Sequence, residues 1–155
     1  MTTGDSTATD LPVENASATA GSADGKRLAV ATFAPGPTSN NGSPDAEPSD
    51  RHPIQIVDLE TSKVVFQLGG LPTPAACLAF NSDGTLLAAA TGMNSHDYGT
   101  PQPVKGVIRV WDLQKRSVVL RLPGHAADVS QVAFSNDNRR LFSSSADGTV
   151  KVWDM

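Results

Sequence analysis

The chain has 155 residues, a formal charge of −4 and 39% hydrophobic content, which suits one soluble domain. Its one cysteine, Cys77, excludes an internal disulfide and makes no case for an oxidising compartment. The start MTTGDSTATD has neither a basic head nor an apolar core, and no apolar run approaches ~18 residues, so the expectation is a cytoplasmic chain without a secretory signal or a membrane span.

In chain order, residues 1–17 are small and polar and read as a flexible tail. A first unit, 18–70, is degenerate: its first strand would lie near Ser17–Gly21, where Gly21 takes the place of Phe80 and Phe134, and it continues with SADGKRLAVAT from Ser22 and with IQIVD, which ends Val57-Asp58 rather than Trp-Asp. Between the last two lies an insertion over about 34–53 that is rich in Pro, Ser, Asn and Asp and is expected to be a long loop. A second unit, 71–123, repeats the plan with NSDGTLLAAAT from Asn81 and IRVWD ending at Asp112. Its insertion covers about 92–105, GMNSHDYGTPQPVK. Outer strands are predicted at Lys63–Leu68 and Ser117–Leu122. The third unit, 124–155, reads GHAADVSQVAFSNDNRRLFSSSADGTVKVWDM. Three strand-length runs (Val129 to Phe134, Leu141 to Ser145, Thr149 to Trp153) alternate with turn residues, so the unit is an antiparallel meander without an outer strand. About ten strands are expected in all.

The register is that of an internal repeat. Asp58 to Asp83 spans 25 positions and Asp112 to Asp137 again spans 25, with Val64 falling on Val118, Leu68 on Leu122, Gly70 on Gly124 and Phe80 on Phe134. The other half of each unit varies: Asp24 to Asp58 is 34, Asp83 to Asp112 is 29, and Asp137 to Asp154 is 17 positions. The excess must lie between the second and third strands. The bracket from Gly124-His125 to Trp153-Asp154 resembles the WD40 repeat. The resemblance implies an all-β chain of WD40-type β-propeller blades, about three four-stranded antiparallel blades in an incomplete ring. It also implies a non-enzymatic platform for protein partners. The alternative weighed beside it is a sensor or regulatory module of a signalling protein.

His125, Ser143 and Asp147 invite a second rival, a hydrolase using Ser143 and His125. The resemblance instead places them, with Trp153, in the structural hydrogen-bond tetrad of a WD40 unit, and the chain has no nucleophile elbow. The second unit keeps Trp111 but has Leu71 at the histidine place and Ala89 at the serine place, so no tetrad is expected there. His52, His96 and His125 lack metal-ligand spacing and Cys77 stands alone, so neither a metal nor a cofactor is expected. The scattered basic pairs Lys26-Arg27, Lys115-Arg116 and Arg139-Arg140 read as solvated turns, which argues against a nucleic-acid partner. In the family the loops between second and third strands share one face with the Gly-His loop, which makes His96, Tyr98 and Asp128 the partner-binding candidates. Propellers have ~4–8 blades. Fewer than three therefore imply a segment of a longer propeller, favoured by the ending after Trp153-Asp154, or self-association that closes a ring, or a decayed remnant.

Overall fold

A computed structural model of the chain describes residues 8–32, 52–71, 73–91 and 106–155. The described residues form eleven strands and no helix. The first sheet is β1 (Ala16–Gly21), β2 (Arg27–Thr32), β3 (His52–Asp58) and β4 (Lys63–Leu71). The second is β5 (Ala75–Phe80), β6 (Leu86–Thr91), β7 (Ile108–Asp112) and β8 (Ser117–Leu122). The third is β9 (Val129–Phe134), β10 (Arg140–Ser145) and β11 (Val150–Asp154). All neighbours are antiparallel and follow chain order, as the short turns between them require.

The three sheets stack in sequence, with β1, β5 and β9 adjacent along the inner edge. Burial follows from this stacking. The second sheet is covered on both faces, so Leu87 to Ala90 and Ile108 to Trp111 are buried without alternation. Among the described residues the third sheet is covered on one face, and β10 alternates exposed Phe142 with buried Leu141 and Ser143. One apolar cluster fills the first gap, where Ile54, Ile56, Leu68 and Leu71 meet Leu78, Leu87 and Trp111. A second fills the next gap, where Ile108 and Val110 meet Val129, Val132 and Leu141. Each large aliphatic side chain buried there contributes about 1.5–3 kcal/mol.

Aspartates set the turns. Asp24, Asp83 and Asp137 each accept from the backbone N–H two residues on, at 3.0, 2.9 and 3.0 Å. Hydrogen bonds hold all three carboxyls below their ordinary range, from Ser22 onto Asp24, Thr85 onto Asp83 and Ser135 onto Asp137 first. The aspartates that close β3 and β7 cap the following turns in the same way: Asp58 accepts from Thr61 N–H at 2.8 Å, and Asp112 from Gln114 and Lys115 N–H at 2.9 Å. Where the first two units use a left-handed glycine, the third has Asn138 at φ 59°. Its side chain reaches back to the second unit, accepting from Ser82 N–H at 2.9 Å and donating to Asp83 at 3.0 Å. Arg27 makes the matching link from first unit to second, donating to the Gly84 carbonyl at 2.9 Å over the Phe80 ring.

Strand content departs from the sequence reading in three places. Eleven strands form against the roughly ten expected, and the first strand of the degenerate first unit is among them: β1 pairs with β2, with a register shift between Ala16 and Ala18, although it carries only Ala, Ser, Thr and Gly. Its small side chains suit the close approach of β5, and β1 begins at Ala16, inside the stretch read as tail. Next, β3 takes in His52 and Pro53, which the sequence reading assigned to the insertion. Pro53 sits where the ladder shifts register, a place where its missing N–H breaks no pairing. Finally, β4 runs on to Leu71, which is buried in the first gap.

Candidate functional site

The Gly124-His125 loop lies between β8 and β9, at the edge of the third sheet where β10 turns into β11. It brings His125, Ser143, Asp147 and Trp153 together. His125 is buried, with Nε2 2.8 Å from Ser143 Oγ and Nδ1 3.0 Å from Asp147 Oδ2. Trp153 Nε1 donates to Ser143 Oγ at 2.9 Å. The carboxylate can only accept, so Nδ1 carries the proton and Nε2 receives the hydroxyl of Ser143. The bonds then run in one direction, from indole to hydroxyl to imidazole to carboxylate. The Asp147 carboxylate also accepts from Ala126 N–H at 2.8 Å and Thr149 N–H at 2.9 Å. Thr149 is a fifth member that the sequence reading missed: its hydroxyl donates to Asp147 at 2.6 Å and lies 3.3 Å from His125 Nδ1. The signal was present, since Asp83-Gly84-Thr85 repeats Asp147-Gly148-Thr149 and Thr85 makes the same bond. The Thr149 hydroxyl foremost, then Ala126 N–H and His125, hold the Asp147 carboxyl far below the usual carboxylate range.

Chemically this is a closed network. Ser143 Oγ has the indole N–H on one side and the imidazole on the other, and both Ser143 and His125 are buried. A nucleophilic serine needs an exposed oxygen within reach of a reacting carbonyl. Trp111 in the second sheet has Leu71 and Ala89 at the corresponding places, and all three are buried in apolar surroundings. Cys77 faces the groove of about 380 Å³ along the inner strands, which also takes in Thr19, Leu78 and Gln131. Burial pushes its thiol up to about 11, away from thiolate chemistry. Among the described residues no group of three or more His, Cys, Asp or Glu could hold a metal ion, and no helix is long and apolar enough to cross a membrane.

The strand ends that flank both insertions lie on the same edge as this loop. Thr32 and Pro53 meet through a 3.3 Å bond from Thr32 Oγ1 to the Pro53 carbonyl. Thr91 and Val107 close the second pair, with Val107 N–H donating to Thr91 Oγ1 at 3.0 Å. The two units touch here: Gly106 N–H donates to the Ala127 carbonyl at 3.1 Å. A Cβ on Gly106 would stand 2.3 Å from that oxygen and 2.7 Å from Val129 Cγ2, so only glycine fits. Asp128 is half-buried in the same loop, and its carbonyl accepts from Ala146 N–H at 2.9 Å. His96 and Tyr98 lie outside the described residues.

Residues 116–154 match the family model described as WD domain, G-beta repeat. The chain is similar to Autophagy-related protein 18 of Yarrowia lipolytica, 30% identical over 88% of this chain and 33% of that protein. It is also similar to WD repeat-containing protein 91 of Danio rerio, 29% identical over 72% of this chain and 14% of that protein. The match to Retinoblastoma-binding-like protein E of Dictyostelium discoideum is 33% identical over 51% of this chain. The chain thus spans 13% to 33% of the length of these curated relatives. Among solved structures, the crystal structure of RRP9 WD40 repeats superposes with a TM-score of 0.66 at 20% identity, covering 90% of this chain and 35% of that one. The structure of U3-55K does so equally, covering 36% of its chain. The fold is that of WD40 β-propeller blades.

Proposed function

We propose that this chain, a run of WD40 repeats, is a non-enzymatic platform that binds a protein partner in the cytoplasm through the face carrying the Gly124-His125 loop. WD40 repeat domains generally mediate protein–protein interaction. The observation that carries the reading is the closed network of His125, Ser143, Asp147 and Trp153: it braces the loop edge and engages the Ser143 hydroxyl on both sides. Rigid strand ends that present loops from two units side by side are what a binding face needs. Asp128 is the described candidate contact, with His96 and Tyr98 beside it in the proposal. Nucleic acid and membrane are not the partners in this reading, and a second copy of the chain is an admissible protein partner. The test is affinity capture with the full chain and three variants. Asp128→Lys and the pair His96→Ala with Tyr98→Ala lose the partner at unchanged thermal stability, whereas Lys26→Glu, on the opposite edge, keeps it. Capture insensitive to the loop-face variants, or labelling of Ser143 by a serine-reactive probe, overturns the proposal.

A further inference from the structure

The outer strands of the first two sheets share one backbone plan and differ in charge. Aligned as repeats, TSKVVFQL from Thr61 lies over KRSVVLRL from Lys115. Thr61, Ser62 and Gln67 of the first unit thereby become Lys115, Arg116 and Arg121 in the second. Lys115 answers Asp112 at 3.4 Å. Arg116 and Arg121 are exposed and make no ion pair among the described residues. Both lie on the side of the second sheet that faces the first. The Arg116 guanidinium stands 4.7 Å from the centre of the Phe66 ring in β4. Arg121 opposes Arg109 across the ladder, and Arg109 alternates with Ile108 and Val110, which face the third unit. Apolar surface lies between the two guanidiniums. Phe66 and Val118 are half-buried and border the same apolar cluster. Their chain neighbours Val65 and Val119 are 50% and 41% exposed. Each of these valines is skipped by its ladder, which passes from Val64 to Phe66 and from Val118 to Leu120. A bulge of this kind turns a side chain out of the alternation. It also blunts an outer strand against pairing, which accounts for the backbone but not for an apolar side chain at both positions.

We propose that this rim, between β4 and β8, binds an extended acidic segment of a partner protein. One apolar side chain of the segment rests on Val65, Phe66, Val118 and Val119, and one carboxylate meets each of Arg116 and Arg121. The inference goes beyond the loop-face reading and rests on it only in taking a protein as the partner. The chemistry of the segment follows from spacing. At ~3.3 Å per residue, the five positions from Arg116 to Arg121 hold the two arginines about 15 Å apart. An extended segment covers that distance in about four or five residues. Alternate side chains of an extended chain share one side, so two carboxylates four positions apart and an apolar residue midway all face the rim. The segment therefore reads Asp/Glu-x-Leu-x-Asp/Glu. A guanidinium stacked on an aromatic ring keeps its planar fork of N–H donors for a carboxylate. An anionic membrane or a nucleic acid fits less well. The whole chain carries a charge of −4, and Asp58, Glu60 and Asp112 lie at the β3–β4 and β7–β8 turns, so a broad anionic surface would meet those carboxylates together with the arginines. A short segment addresses the two arginines alone.

The probe is a synthetic heptapeptide, Gly-Glu-Thr-Leu-Thr-Glu-Gly, titrated into the full chain and followed by amide shifts in heteronuclear NMR. Saturable binding is expected, with shifts concentrated on β4 and β8. The variants Arg116→Ser and Arg121→Gln carry what the first unit has at the same places, and Ser62 already holds the backbone of Arg116, at φ 55° against 53°. Each weakens binding about two- to five-fold, as loss of one exposed ion pair requires. Lys26→Gln removes an equal charge from a turn away from this rim and leaves binding unchanged. Replacing the peptide leucine by serine weakens binding at least as much as either arginine variant, which a purely electrostatic contact would not show. Absence of saturable binding, shifts away from β4 and β8, equal binding of the serine peptide, or an equal effect of Lys26→Gln overturns the proposal. So does tight binding of phosphatidylserine vesicles or of a single-stranded oligonucleotide that is lost with the two arginine variants. If the peptide fails while the loop-face variants still lose their captured partner, the rim proposal falls and the platform reading stands. If the peptide binds as expected while those variants keep their partner, the loop-face reading falls alone.

Discussion

Replacing Ser143 with alanine removes one oxygen and two hydrogen bonds. The hydroxyl accepts from Trp153 at 2.9 Å and donates to His125 at 2.8 Å. At a net value of about 1 kcal/mol each, the two bonds account for about 2 kcal/mol. The imidazole cannot turn to water, because its side chain is 0% exposed, and a buried acceptor left without a donor costs a further ~1–3 kcal/mol. Removing the hydroxyl from an apolar setting offsets part of that. The expected loss is therefore about 2–4 kcal/mol, read from urea unfolding followed by tryptophan fluorescence. Ser144→Ala is the control: its hydroxyl meets Ser130 Oγ at 2.9 Å in an exposed setting, and it should cost less than about 1 kcal/mol. A double-mutant cycle of Ser143→Ala with Trp153→Phe should return a coupling of about 1 kcal/mol. A Ser143→Ala chain within about 0.5 kcal/mol of the parent, or no weaker than Ser144→Ala, would refute the structural role assigned to the network.

Two other perturbations probe the same edge. Gly106→Ala forces a methyl group to 2.3 Å from the Ala127 carbonyl, so the loop must move, with an expected loss of about 1–3 kcal/mol in the same assay. A neutral outcome would mean that the two units do not press together there. Asp147 has a folded-state pKa below its ordinary value of 3.8, so its contribution is complete well above that value and fades as pH falls through and below it. Asp147→Asn should therefore be destabilised against the parent at pH 7, and the gap in urea midpoint should narrow towards pH 3. A gap that stays constant over that range would detach the carboxylate charge from the network.

Much of the fold was legible because its turns are chemically explicit. An Asp four residues ahead of a Leu marks the β1–β2, β5–β6 and β9–β10 turns, and each of these aspartates does accept the backbone N–H two residues on. The four network residues were legible only through resemblance, since nothing in the spacing of His125, Ser143, Asp147 and Trp153 states that they meet. β1 was weak in sequence for a physical reason: a strand of Ala, Ser, Thr and Gly has no apolar alternation, and its pairing with β2 and its contact with β5 hold it instead. The links from Arg27 to Gly84 and from Asn138 to Ser82 join residues 57 and 56 positions apart. Such links depend on how successive units stack, which periodicity within a unit does not express.

The second and third units hold the same strand register by different physics. In the second, Leu71, Ala89 and Trp111 are locked by apolar contact, because both faces of that sheet are covered and each side chain there gains from burial. The third unit has His125, Ser143 and Trp153 at the corresponding places, joined by hydrogen bonds. Directional bonds fix its turn: Asp147 alone joins the Gly124-His125 loop, through Ala126 and His125, to the start of β11 through Thr149. A polar network of this kind stabilises only when every member is satisfied, and here each has a partner. The network therefore defines the geometry of the Gly124-His125 loop. That matters most where loop 123–128 meets Gly106 and two units must present a single surface.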